Sequence, residues 1–384
     1  MKKKIVYVML ALMTAVCMIA CSTSTPAESE GGSEIVLDDV FNESDADTSN
    51  EEESYAEGEI PEGMYRSELT GEWIPEELKN QRPIAAMVDN ELYALDHYGV
   101  NSADVVYEIM NSTMNGRITR LMCIVKDWKN IEKLGSIRSA RQTNFLLAAE
   151  YNAILIHDGG PFYINEYLTK DYTNNLSGGF ARFSNGKSAE FTEYVTYEGY
   201  KNPTTGKSYA GLGTRIKNSG YSEEYNEHYP GEHFTFNYAG VDLSKDSKSE
   251  KAENIILPFP HNSSKLVYNP ETKLYEYYEY GKAHIDPLDD NKITTFKNVF
   301  LQSTFFVQLD EHGYLIYDVI NKGEGYYITE GNAIPVKWEK IGQTGVTTYT
   351  NATTGEVVEM NVGKTYIALV PSDKWSEVEL NGTK

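Results

Sequence analysis

Four arginines crowd the run Gly116–Gly160 of a strongly acidic chain: Arg117, Arg120, Arg138 and Arg141, with His157 and Asp158 at its end. A guanidinium is a planar fork of donors that takes a carboxylate or phosphate through two parallel hydrogen bonds. The chemistry this pattern suggests is therefore anion recognition. Asp89, His157 and Asp158 are the polar groups placed to support it, and His and carboxylate are also general acid–base types. Two readings are open. The arginines either pair internally with Asp89, Asp104, Glu108 or Asp158 and pin strands to a helix, or they hold an anionic ligand. No nucleophile elbow, HExxH, P-loop or Rossmann fingerprint occurs. No catalytic residue, metal or cofactor is therefore assigned.

The elements that must carry these groups alternate in type. Pro83–Asn90, Ala103–Met110 and Ile118–Val125 are apolar runs of strand length. A polar loop, 126–135, leads to an expected amphipathic helix over Gln142–Tyr151, with Phe145, Leu146, Ala149 and Leu147 turned to a core. Ala153–His157 is a further strand, broken by Asp158-Gly159-Gly160-Pro161. If Ser139 or a neighbour caps the helix, Arg138 and Arg141 sit in its first turn. Cations there are unfavourable by about 0.3–1 kcal/mol each, so a carboxylate or a bound anion must offset them. His157 and Asp158 are adjacent on a strand and point to opposite faces.

Other candidates carry weaker signals. Cys123 lies between Met122 and Ile124 and reads as a small buried hydrophobe. His228 and His233 could share a zinc ion, but His228, His233, His261 and His284 are scattered in Tyr-rich loops. The 29 tyrosines and Trp338 would suit sugar rings, although aromatics are also favoured in strands.

The 384 residues suffice for two domains. A net charge of -23 excludes a nucleic-acid partner, which needs a basic face. Met1–Cys21 has three lysines, an apolar stretch and a small residue before Cys21, as a secretory signal does. Met18-Ile19-Ala20-Cys21 resembles a bacterial lipobox. That resemblance implies cleavage before Cys21, lipid on Cys21, and a protein anchored to the membrane on its extracytoplasmic face. Residues 22–80 read as an acidic tether that cannot bury enough apolar surface to fold. The expected domains are 82–240 and 254–372, separated by the polar stretch 242–253. The fold class is α+β, a layered α/β N-terminal domain followed by a β-rich C-terminal domain. In the second, Lys265–Tyr268 and Leu274–Tyr277 flank a hairpin turn. Further strands are expected at Val299–Gln302, Thr304–Leu309, Gly313–Ile320 and Tyr366–Val370, and a hairpin over 346–360.

The blocks RPIAAMVDN, ADVVYEI, GRITRLMCIV, LGSIRSAR and AILIHDGG, then LVYNPETKLYEYYEYGKAHID, NVFLQ, GYYITEGNAIPVKWEK and TTGEVVEMNVGKTYIALVP, stand in order through residues 82–371. In them the chain resembles the YerB-like family of bacterial lipoproteins, whose two-domain fold the resemblance implies and whose activity is not known. Relatives often carry Arg-x-Ala-Pro-His-Asn after the His-Gly-Gly strand. Here the corresponding ARFSNGKSAEF has no Pro-His-Asn, which weakens any histidine-dependent chemistry. The expected function is a lipid-anchored envelope binding protein that meets an anionic ligand or an envelope protein through Arg117, Arg120, Arg138 and Arg141. The alternative is an enzyme of cell-envelope metabolism acting on a phosphorylated or polyprenyl-phosphate substrate.

Overall fold

Long apolar runs without polar alternation set the architecture. Ile84–Asp89, Val105–Met110 and Thr119–Val125 are buried at every position, as strands covered on both faces are. In the computed structural model, which describes residues 60–381, they lie side by side within an 11-stranded mixed sheet. Its order is Glu250–Lys251, Asn332–Lys340, Lys322–Thr329, Asn298–Thr304, Thr365–Pro371, Val105–Met110, Thr119–Val125, Ile84–Asp89, Ile154–His157 and Asn175–Ser177. Thr347–Asn351 also pairs with Asn332–Lys340.

Thr365–Pro371 is the seam of this sheet. It runs parallel to Asn298–Thr304 on one side and to Val105–Met110 on the other. The sheet thus continues across the polar stretch 242–253, and Glu250–Lys251 within that stretch pairs with Asn332–Lys340.

Successive strand residues point to opposite faces, and each face has its own cover. Ile84, Ala86, Val88, Leu121 and Cys123 meet a second, five-stranded sheet through Leu266, Tyr275, Tyr277 and Phe296. Ala85, Met87, Tyr107, Met122 and Ile124 meet helix Gln142–Glu150 through Phe145, Leu146 and Leu147.

Several expectations change. The described chain is β-rich, and its layering is not a property of the N-terminal segment alone, because the second sheet (residues 254–296) supplies one of the layers. The helix is not amphipathic, since all nine of its residues are buried. Its outer side is covered too: the Thr143 hydroxyl accepts from Tyr317 N at 3.0 Å, and Glu150 is enclosed by residues from 233 and 340–347. The tether does not extend to residue 80. Met64–Arg66 pairs with Trp73–Pro75, Leu69 is buried, and Glu68 accepts from Lys126 Nζ at 2.6 Å. The signal segment, Cys21 and the rest of residues 1–59 lie outside the described residues.

The hairpin Lys265–Asn269/Leu274–Glu279 forms as expected. A longer one, Lys322–Thr329/Asn332–Lys340, is not anticipated from the sequence. Its turn residues Glu330 and Gly331 have φ of 47° and 75°, the left-handed pair of a type I′ turn. The strands expected at 304–309 and 313–320 shrink to Phe306–Gln308 and Leu315–Tyr317.

Candidate functional site

The segment Ser136–Ala140 crosses the ends of the strands Ile84–Asp89 and Ile154–His157 and is held there by backbone bonds. Asp89 N donates to Ser136 O at 2.9 Å, Arg138 N to Met87 O at 2.9 Å, and Asp158 N to Arg138 O at 2.9 Å. This path brings Arg138 to Asp89, with Nε 2.9 Å from Oδ2. Arg138 Nη1 also lies 3.2 Å from Glu190 Oε2.

Arg120 stands opposite Asp89 in the sheet register. Its guanidinium donates to the Ser139 carbonyl. Arg141 is the N-cap residue of the helix rather than a first-turn residue. It is positioned by Asn144, whose side-chain oxygen accepts from Arg141 N at 2.7 Å. Its guanidinium donates to Asn111 O at 3.3 Å and Ala140 O at 3.1 Å, and covers the Tyr314 ring at 4.8 Å.

Three guanidiniums therefore converge at one end of the sheet, and only Arg138 has a carboxylate within ion-pair distance among the described residues. Arg120 and Arg141 are each 8% exposed. Burial first, then Arg141 and Arg138, push Arg120 down to about 9, against the pull of Asp89. Burial and Arg138 push Arg141 down to about 10, with Tyr314 and Asp310 opposing. Both remain protonated at neutral pH, so their mutual repulsion is a standing cost that an anion would relieve.

The other sequence candidates are placed differently. Arg117 forms a separate surface pair with Asp373, Nη2 to Oδ2 at 2.5 Å. His157 does not face the arginines: its Nδ1 meets Gly159 O at 2.8 Å and its Nε2 meets Asn175 Oδ1 at 3.1 Å. Asp158 lies 3.5 Å from Arg182 Nη2. Arg182 and Glu193 were missed. They pair at 2.5 Å, and Arg182 also donates to Ala189 O at 2.6 Å, in the loop that carries Glu190. The only hint was an isolated arginine within ARFSNGKSAEF. Burial and Asp158 push the Glu193 carboxyl up to about 7, against the Phe180 N–H and Arg182.

Cys123 is buried and its thiol is pushed up by burial, which removes thiolate chemistry. Trp338 is a core residue whose Nε1 donates to Ser303 O at 3.0 Å, not a sugar platform. His233 and His228 share no site: His233 Nε2 meets Glu150 Oε2 at 2.7 Å, and His228 lies by Glu227. No helix among the described residues is long and apolar enough to cross a membrane.

Comparison with known proteins agrees with this geometry at the level of fold. The chain is similar to a Bacillus subtilis (strain 168) protein named "Putative lipoprotein YerB", 23% identical over 317 residues, covering 82% of this chain and 86% of the other. The crystal structure of the YerB protein from Bacillus subtilis matches with a TM-score of 0.66 at 21% identity, covering 80% of this chain and 98% of that one. Residues 69–210 match the N-terminal domain model, and residues 255–367 the C-terminal domain model, of a protein family of unknown function, DUF3048. Together these matches span more than half of the chain, which belongs to the DUF3048 family.

Proposed function

We propose that this is a lipid-anchored, extracytoplasmic binding protein, held to the membrane through Cys21, whose Arg120, Arg138 and Arg141 take an anionic group of a cell-envelope component. The observation that carries the reading is the unequal pairing of the three arginines. Arg138 is matched by Asp89 and Glu190, whereas Arg120 and Arg141 donate only to backbone carbonyls. A buried cation without a counter-charge is costly, and a phosphate or carboxylate is the group its fork accepts. The name of the Bacillus subtilis relative supports the lipid anchor. The domains proposed are 82–240 and 254–372, preceded by the folded hairpin Met64–Arg66/Trp73–Pro75.

An enzymatic reading draws on Glu193, held near neutrality beside Asp158 and Arg182. Glu193 O accepts from Ile137 N at 2.7 Å, next to Arg138, so a substrate held by Arg138 would have to reach the Glu193 carboxyl from there.

The test is calorimetric titration of the purified protein with inorganic phosphate and with succinate. Binding of either anion by the wild type, lost in Arg120→Gln/Arg141→Gln and kept in Arg117→Gln, supports the site. No binding of either anion by a folded wild type, or equal binding by the double variant, overturns it.

A further inference from the structure

A second unassigned cluster lies where the five-stranded sheet packs on the central one. His97, His284 and Glu279 are buried there, with exposures of 0%, 2% and 0%. His97 Nδ1 is 2.8 Å from His284 Nε2. Glu279 Oε1 is 3.9 Å from the same His284 nitrogen. The three atoms all fall within 4.8 Å of one another, and this is the one such His/Cys/Asp/Glu group among the described residues.

The surrounding hydrogen bonds set the ring chemistry. Thr294 Oγ1 donates to Asn101 Oδ1 at 2.6 Å, since Asn101 Nδ2 is directed to Asp289 at 3.0 Å. The Thr294 oxygen is then left to accept from His284 Nδ1–H at 2.8 Å. That bond fixes the tautomer and leaves a lone pair on His284 Nε2, facing His97 and Glu279. Metal-ligating histidines donate their other ring N–H to an outer acceptor that fixes the ring, and the Thr294 oxygen stands in that position for His284.

Charge points the same way. Glu279 Oε1 is buried and has no hydrogen-bond partner. Close to it is Glu108, also fully buried. Tyr277 OH connects them, 3.0 Å from Glu108 Oε2 and 3.5 Å from Glu279 Oε2. Among the described residues no lysine or arginine lies within ion-pair distance of either carboxylate. Glu108 is satisfied by the hydroxyls of Thr119, Ser264 and Tyr277, whereas the orphaned Glu279 oxygen is an acceptor that a metal ion at this point would satisfy.

We propose that His97 Nδ1, His284 Nε2 and Glu279 Oε1 form a buried site for one divalent transition-metal ion of the zinc class. Two imidazoles and a carboxylate are a donor set that zinc accepts, with a water molecule as the fourth ligand of the tetrahedron. Zn–N bonds of about 2.0–2.1 Å at a tetrahedral angle set the ligand nitrogens about 3.3 Å apart, so the rings part by about 0.5 Å on loading. The role is structural. His97 belongs to the segment that leads into Val105–Met110, and Glu279 and His284 to the second sheet, so the ion would clamp the two layers together.

The experiment is to unfold the full protein in chelator, refold it, and titrate it with Zn2+ in competition with a chromophoric chelator. Expected are one Zn2+ per chain and a thermal midpoint higher with Zn2+ than with EDTA. Thr294→Val, which keeps the shape but frees the His284 ring, weakens Zn2+ binding about 10–100-fold. His284→Gln abolishes it. The proposal is overturned if the refolded wild type binds no Zn2+ and melts identically with Zn2+ and with EDTA. It is equally overturned if a folded His284→Gln variant binds Zn2+ as the wild type does. Should His284→Gln fail to fold, the wild-type titration and the Thr294→Val affinity decide.

Discussion

Lys340 Nζ lies 3.3 Å from Glu150 Oε1, and neither side chain is exposed. The pair joins the helix of the N-terminal family segment to a strand of the C-terminal one. Glu150 also takes His233 Nε2 at 2.7 Å, Thr347 N at 2.9 Å and Thr347 Oγ1 at 3.0 Å. Burial opposes the ionisation of Glu150, but Lys340, His233 and Thr347 outweigh it and hold the carboxyl below its ordinary value. Removing one partner of such a pair costs about 3–5 kcal/mol. Lys340→Met is expected to lower the unfolding free energy by that order in urea titration. Because the folded carboxyl is depressed, its stabilisation is present above the ordinary carboxylate value and lost as pH falls through the folded one. The variant, which keeps His233 and Thr347 but lacks the cation, should show a weaker acid-side decline, and a parallel decline in both proteins would refute the assignment.

The arginines should separate by pairing. Arg138→Gln leaves Asp89, which is 3% exposed, without its cation. Arg138 is itself partly exposed, so a loss of about 1–3 kcal/mol is expected. Arg117→Ala removes a surface pair and should cost about 0–1 kcal/mol. Chemical denaturation measures both, and a larger loss in Arg117→Ala than in Arg138→Gln would contradict the geometry.

Glu193 should impose a slope of opposite sign to that of Glu150. Its carboxyl is raised from 4.5 to about 7. Between those values the folded chain keeps a proton that the unfolded chain has released. The stabilisation is therefore complete below the ordinary value and is lost as pH rises through about 7. Glu193→Gln should become more stable relative to the wild type as pH rises from about 5 to about 8. Thermal melts of both proteins across that range provide the check.

The seam strand predicts one cooperative transition. Val105–Met110 loses its partner on one side if Thr365–Pro371 is removed, and a bare edge of six buried residues invites association. A chain truncated before residue 365 should aggregate or expose apolar surface to a hydrophobic dye. The intact folded part should melt in a single calorimetric step. Two separated steps would show that the family segments fold independently.

Much of the sheet was legible locally. Unbroken apolar runs such as Ile84–Val88 and Leu121–Val125 state that both faces are covered, because side chains alternate between faces whatever the surroundings. The hairpin Lys265–Asn269/Leu274–Glu279 was legible from its turn residues. Lys322–Lys340 was not, because Gly323, Gly325 and Pro335 weaken any strand reading. Close packing explains two of these residues: a Cβ on Gly325 would come 2.4 Å from Leu301 O, and one on Gly323 2.6 Å from Trp338 Nε1.

The sequence alone determined that the arginines of Gly116–Gly160 are unusual, because charge contrast is a property of composition and spacing. It did not determine which of them meet. Arg120, Arg138 and Arg141 converge because the Ser136–Ala140 crossing and the strand register bring separate backbone segments together. Arg117, three residues from Arg120, is directed to Asp373 instead. Arg182, Glu193 and the His97–His284–Glu279 cluster were invisible for the same physical reason. Partners far apart in the chain become neighbours only through sheet pairing and layer packing, and no local pattern encodes that distance.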